Sequence, residues 1–199
     1  FTPKPSSYLL TLHEGKTVFS GHQNIIIEIP NESLSDISGN SITGEIKLEI
    51  KEYASKKMDL LSSPSTIYNN EIFDIEKLLY LKFSQDGKDL FIKSPINIFL
   101  ASENASPTNI NQIVIGKMEG LNFSWENHDT NEISVETGTW EISNGESALK
   151  ILGYKIKTIG GSNWYSVVKA FSSSSNENEA LQIDTDPYIN NKNTLAFFI

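Results

Sequence analysis

Between Glu45 and Lys51 charged and apolar residues alternate without a break, Glu-Ile-Lys-Leu-Glu-Ile-Lys. Period two is the period of an extended chain, so Ile46, Leu48 and Ile50 share one face and the charges share the other. The segment is therefore a half-buried strand. Asn24 to Ile29 reads as a second, more deeply buried strand, closed by Pro30, whose nitrogen has no hydrogen to give to a ladder. Between the two, Ser38-Gly39-Asn40 and Thr43-Gly44 supply turn residues that tolerate positive φ. Asp86-Gly87, lying between the apolar runs Leu78 to Phe83 and Leu90 to Lys93, predicts a tight hairpin.

Further strands are predicted at Tyr8 to Leu12, Ile96 to Leu100, Ile113 to Met118, Thr139 to Ile142, Ala148 to Ile156 and Trp164 to Phe171. Only Ser55 to Leu61 invites a short helix, with Ser55 as its N-cap. Short strands separated by Gly, Asn, Ser and Pro clusters make the fold all-β, a sandwich or barrel. The polar stretch Glu126 to Glu132 is the expected boundary, giving two consecutive sandwich-like units, 1–126 and a smaller, truncated 127–199. Ser172 to Glu179 is expected to be a long loop. Thr194 to Ile199, apolar on both faces, is expected to be an integral strand of the second unit.

Composition narrows the chemistry. The chain has 199 residues, no cysteine and a net charge of -9, and its basic residues are all lysine. Disulfides, thiolate nucleophiles and cysteine metal sites are excluded. A negative field without guanidinium groups argues against nucleic acid as a partner. No apolar run approaches the roughly 20 residues that span a bilayer. The chain opens on Phe1 and closes on the apolar run Leu195 to Ile199, so it is expected to be an excerpt of a longer product.

Two stretches carry a family resemblance. The first is Ile29-Pro30-Asn31-Glu32-Ser33-Leu34-Ser35-Asp36-Ile37-Ser38-Gly39-Asn40, and the second runs from Thr43-Gly44 through Ile46, Leu48 and Ile50 to Glu52-Tyr53 and on to Asp59-Leu60-Leu61. Together they resemble the ZU5-like N-terminal region of uncharacterised bacterial outer-membrane lipoproteins, over about residues 9 to 126. Ile151 to Phe171 is similar to the small C-terminal β unit of those proteins but departs from their "G-W-x-N-x-D" phrase at Ser162-Asn163-Trp164-Tyr165-Ser166-Val167. The resemblance implies a ZU5-like β-sandwich, export to the cell surface or periplasm, and a lipid anchor outside this chain as its link to the membrane. It carries over no catalytic residue.

Some ZU5-containing proteins cut themselves at His-Phe-Ser; the matching tripeptide here is Asn122-Phe123-Ser124. Asparagine cannot act as the base that activates the serine, and His128 would have to fold back to replace it. His13, His22 and His128 lack metal-site spacing, and Thr17 stands where a zincin motif opening at His13-Glu14 needs its second histidine. Asp184-Thr185-Asp186-Pro187 lacks the glycine and distal glutamate of a calcium loop and reads as an acidic turn. No metal or other cofactor is expected. Trp125, Trp140 and Trp164 are the candidate ligand-binding residues, as an aromatic platform for sugar rings; the competing reading for each is core packing. The leading expectation is a non-catalytic cell-envelope binding or scaffold module whose partner is a protein or a glycan. A carbohydrate-binding module using exposed tryptophans and an unrecognised hydrolase in a β fold are the alternatives.

Overall fold

The alternation at Glu45 is realised as a strand of nine residues, Glu45–Tyr53, with Ile46, Leu48 and Ile50 buried. The computed structural model describes residues 5–21, 25–53, 67–68, 71–72, 74–102, 111–119, 122–127, 133–144, 147–160 and 164–169, and every helix or strand among them is a strand. The first eight in chain order are β1 (Ser6–Thr11), β2 (Lys16–Ser20), β3 (Ile25–Pro30), β4 (Leu34–Ser35), β5 (Glu45–Tyr53), β6 (Ile67–Tyr68), β7 (Glu71–Ile72) and β8 (Asp74–Gln85). The remainder are β9 (Lys88–Asp89), β10 (Phe91–Ala101), β11 (Asn111–Glu119), β12 (Asn122–Asn127), β13 (Ile133–Asn144), β14 (Ser147–Gly160) and β15 (Trp164–Lys169). One sheet runs β1-β5-β8-β15-β11-β12, with β9 on β8, and is called sheet A. Sheet B runs β13-β14-β10-β3-β2, with β4 on β10, and β6 and β7 form a separate pair. All the pairings are antiparallel.

The all-β expectation holds, and several of its local signals have a visible cause. Asp86 and Gly87 both take positive φ, 51° and 76°, as a two-residue hairpin turn of the predicted kind requires. Pro30 ends β3 as expected. The runs expected separately at Leu90 and Ile96 belong to β10, whose register slips between Ile92 and Ile96. Pro95 sits in that slip, where it withdraws no donor from a regular ladder. Along one side β10 pairs with β4 before the slip and with β3 after it, while along the other it pairs with β14 at Ile92 and again from Ile96.

The expectation of two consecutive units is corrected by the strand order. β15 lies between β8 and β11, and β14 lies between β13 and β10, so strands from both sides of residue 126 are hydrogen-bonded into common sheets. They also share one buried cluster, in which Ile27, Leu48, Leu81 and Ile98 pack with Tyr154, Ile156, Tyr165 and Val167. A polar stretch in the sequence marks a surface crossing, and a crossing between neighbouring strands looks the same as a crossing between domains. Glu126 and Asn127, expected in the linker, belong to β12. The helix expected at Ser55 to Leu61, the loop at Ser172 and the strand at Thr194 lie outside the described residues.

Gly153 is the tightest point of sheet B. It pairs with Ala101 on one side and Gly138 on the other, and a Cβ placed on it would stand 2.0 Å from the Leu100 carbonyl oxygen. Backbone cannot yield as a flexible side-chain end can. Gly153→Ala is expected to lower the unfolding free energy by about 3 kcal/mol in urea titration, and an unchanged midpoint would refute the close approach. A chain ending after Asn127, which lacks both inserted strands, is expected to give no cooperative melting transition; a sigmoidal melt would mean that residues 9–126 fold alone.

Candidate functional site

All three tryptophans lie on the outer faces of the sheets, away from the main inter-sheet core. On sheet A, Gly116 of β11 stands between Trp164 of β15 and Trp125 of β12, and Trp164 is in turn opposite Tyr80 of β8. Direct cross-strand neighbours share a face, so Trp125, Gly116, Trp164 and Tyr80 form one row across four strands. Tyr80 and Trp164 meet edge to face, with ring centroids 5.0 Å apart and planes at 61°. Trp125 is buried with Leu78, Val114 and Val168 in a second small core on this face, while Trp164 and Tyr80 are half-buried at its margin. Burial pushes the Tyr80 hydroxyl above its ordinary pKa, against the pull of nearby Lys82.

Trp140 lies on the outer face of sheet B. Its ring covers Gly138, two residues back on the same face of β13, where an added Cβ would come within 3.3 Å of the indole. Phe99 approaches it at 6.2 Å between centroids, and the Lys155 ammonium sits 5.0 Å from the ring centre, a cation–π contact. Its Nε1–H is buried and has no hydrogen-bond acceptor among the described residues. Around it Ile26, Phe99, Ile142 and Ile151 form a third apolar cluster. The structure thus brings Trp125 and Trp164 to one face and places Trp140 on the opposite side of the sandwich. None of the three is among the exposed large apolar residues described, which are Leu9, Ile37, Phe91 and Leu152.

Sequence reasoning missed the polar groups that tie the sheets together. Tyr165 of β15, 1% exposed, is hydrogen-bonded to Thr158 of β14. The Tyr154 hydroxyl of β14 donates to Glu76 Oε2 at 3.4 Å, and Glu76 occupies the bulge where the β8–β15 register slips. That bulge breaks the alternation of β8 at Glu76. Beside it the Lys77 ammonium donates to Glu52 Oε1 at 2.7 Å, and the Ser166 hydroxyl donates to the Lys77 carbonyl at 3.1 Å. Each of these groups is spent on holding strands. A usable signal was Tyr165 itself, since an inward tyrosine between apolar neighbours needs a partner for its hydroxyl.

The remaining motifs are dispersed. His13 is exposed, and its backbone N–H donates to the Thr17 hydroxyl at 2.9 Å, a turn bond made by the residue that displaces a second histidine. Ser124 is exposed on β12, opposite Lys117 of β11. His22, His128 and Asp184 to Pro187 lie outside the described residues. A cavity of about 110 Å³ between β1, β3 and β5, lined by Ser6, Tyr8, Gly21, Ile25, Ile50 and Glu52, falls below the roughly 300 Å³ at which ligand pockets begin.

Burial pushes the Tyr165 hydroxyl up to about 12, with the Thr158 hydrogen bond working in the opposite direction. Below pH 10 neither the folded nor the unfolded tyrosine ionises, so its contribution there is constant. Between about pH 10 and 12 the unfolded chain releases a proton that the folded one keeps, and stability falls by up to about 1.4 kcal/mol per pH unit. Tyr165→Phe should remove that share of the alkaline loss while costing about 1 kcal/mol at neutral pH. Urea unfolding at a series of pH values measures both, and an unaltered slope above pH 10 would show that Tyr165 ionises in the folded state.

Comparison with protein-family models, with curated proteins and with solved structures finds no match for this chain.

Proposed function

We propose that this chain is a non-catalytic binding or scaffold module of the bacterial cell envelope, similar in sequence to ZU5-like regions over about residues 9 to 126, exported, and held at the membrane by an anchor outside residues 1–199. The observation that carries the binding role is Ile37. It is 86% exposed on a turn held rigidly by Asp36, whose Oδ1 accepts the backbone N–H groups of Ser38 and Asn40 at 2.8 and 2.9 Å and whose Oδ2 accepts Asn40 Nδ2 at 2.9 Å. The Asn40 side-chain bond, foremost among these contacts, holds the Asp36 carboxyl below its ordinary pKa. A large aliphatic side chain fixed in water by a turn loses little freedom on meeting a partner, which favours a contact role.

A glycan-binding reading has support of its own in the edge-to-face pair Tyr80–Trp164 on the outer face of sheet A, whose half-buried rings keep an uncovered edge for a sugar. The polar groups at the core edge, Glu52, Glu76 and Ser166, support a structural role better than a hydrolytic one, because each is engaged between strands. The test is sedimentation with purified peptidoglycan, outer-membrane vesicles and envelope polysaccharide. Retention by one fraction that Ile37→Asp abolishes, with the melting temperature unchanged, is the expected result. Loss on Trp164→Ala with Ile37→Asp still bound would favour the glycan reading, and no retention by any fraction would refute both.

A further inference from the structure

Among the described residues the two main sheets end in four edge strands, β1 and β12 in sheet A and β2 and β13 in sheet B. Three of them carry charge within the strand: Lys16 in β2, Glu126 in β12, and Glu136 and Glu141 in β13. β1, Ser-Ser-Tyr-Leu-Leu-Thr, has no charge and no proline, and its register against β5 is unbroken over six residues. Within its own residues it has no charge, proline or bulge to keep the edge from pairing.

Its free backbone groups can be assigned. The Leu12 N–H donates to the Gly44 carbonyl at 2.9 Å, continuing the register that sets Thr11 opposite Glu45. Alternate residues of an antiparallel ladder exchange both bonds with one neighbour, so Leu10, Tyr8 and Ser6 face β5 through their backbones. Ser7, Leu9 and Thr11 then turn their N–H and C=O groups to the open edge. Leu9 is 69% exposed on the outer face, while Tyr8 and Leu10 lie partly buried against the main core.

We infer that β1 pairs antiparallel with β1 of a second copy, with Leu9 on the two-fold axis. In that register Leu9 exchanges both backbone bonds with its symmetry mate and Ser7 exchanges both with Thr11, in each direction. On the outer face Leu9 meets Leu9 between two Ser7–Thr11 hydroxyl pairs. On the inner face Tyr8 meets Leu10 twice, which completes the cover of side chains that one copy leaves half-buried. The strand is a palindrome in chemistry about Leu9, the property an isologous contact requires. Because β1 is uncharged, the -9 of each chain is not concentrated at the contact.

A contact of about five paired residues on each side is small, so the dimer is weak and dependent on concentration. Sedimentation equilibrium or light scattering from about 1 µM to about 1 mM, the range of such affinities, should show the mass rising from one chain toward two. Leu9→Lys sets two like charges face to face on the axis and should leave a monomer at every concentration, with an unchanged melting temperature because Leu9 is exposed. Leu9→Pro removes a donor that β5 does not use and should act in the same way. Leu152→Lys, at another exposed apolar residue, should dimerise like the parent. A parent that stays monomeric throughout, or a dimer that survives Leu9→Lys, or one that Leu152→Lys also dissolves, overturns the inference.

Discussion

The sandwich depends on one apolar row across sheet B. Phe19, Ile27, Ile98, Ile156 and Val135 are successive direct neighbours on β2, β3, β10, β14 and β13. Ile27, Ile98 and Ile156 are fully buried, and they face the Leu48, Leu79, Leu81 and Val167 side chains of sheet A. Each such residue contributes roughly 1.5 to 3 kcal/mol when removed from water, and a branched chain on a pleated surface gives up little rotamer freedom in doing so. The row can exist only if β14 is present, because Ile156 is its middle term between Ile98 and Val135. What holds the two sheets together is therefore drawn from both ends of the described chain.

This explains which parts of the fold were legible. Period-two alternation reports which face a residue takes, and it identified β5 correctly from Glu45 to Lys51. Asp86-Gly87 reports a local turn, and it was correct for the same reason: the cause lies within four residues. Strand order has no such local trace. Nothing in Trp164 to Lys169 announces that the neighbours of Val167 are Lys77 and Ile113, 90 and 54 positions away, so the polar stretch after Trp125 was read as a division between units. The three tryptophans were legible as large apolar groups and illegible as a site. Their partners, Gly116, Tyr80, Gly138 and Lys155, are set by register. Only Gly138, two residues from Trp140 on the same strand face, was within reach of a sequence argument.

Each sheet carries a small apolar cluster on its outer face as well as the core between them, and glycine is part of the reason. Trp140 lies over Gly138, so its ring fills the space that a missing side chain leaves on a pleated surface, and Trp125 and Trp164 stand on either side of Gly116 in the ladder. The small cores beneath these rings stiffen the sheets from outside. They also set a rule for reading the surface: an aromatic residue beside a glycine in the ladder is a packing element first, and only its uncovered edge is left for a ligand.

The position of β15 has a consequence in time. Sheet A cannot close between β8 and β11 until residues 164–169 have arrived, although β8 is finished some 80 residues earlier. Pairings of that span are entropically late, and folds built on them form slowly. While those residues are withheld, the two halves of sheet A share no ladder, whereas every pairing of sheet B is already available. The last assembly step is therefore the insertion of a single strand between two finished edges, each of which must wait with its hydrogen-bonding groups unmet.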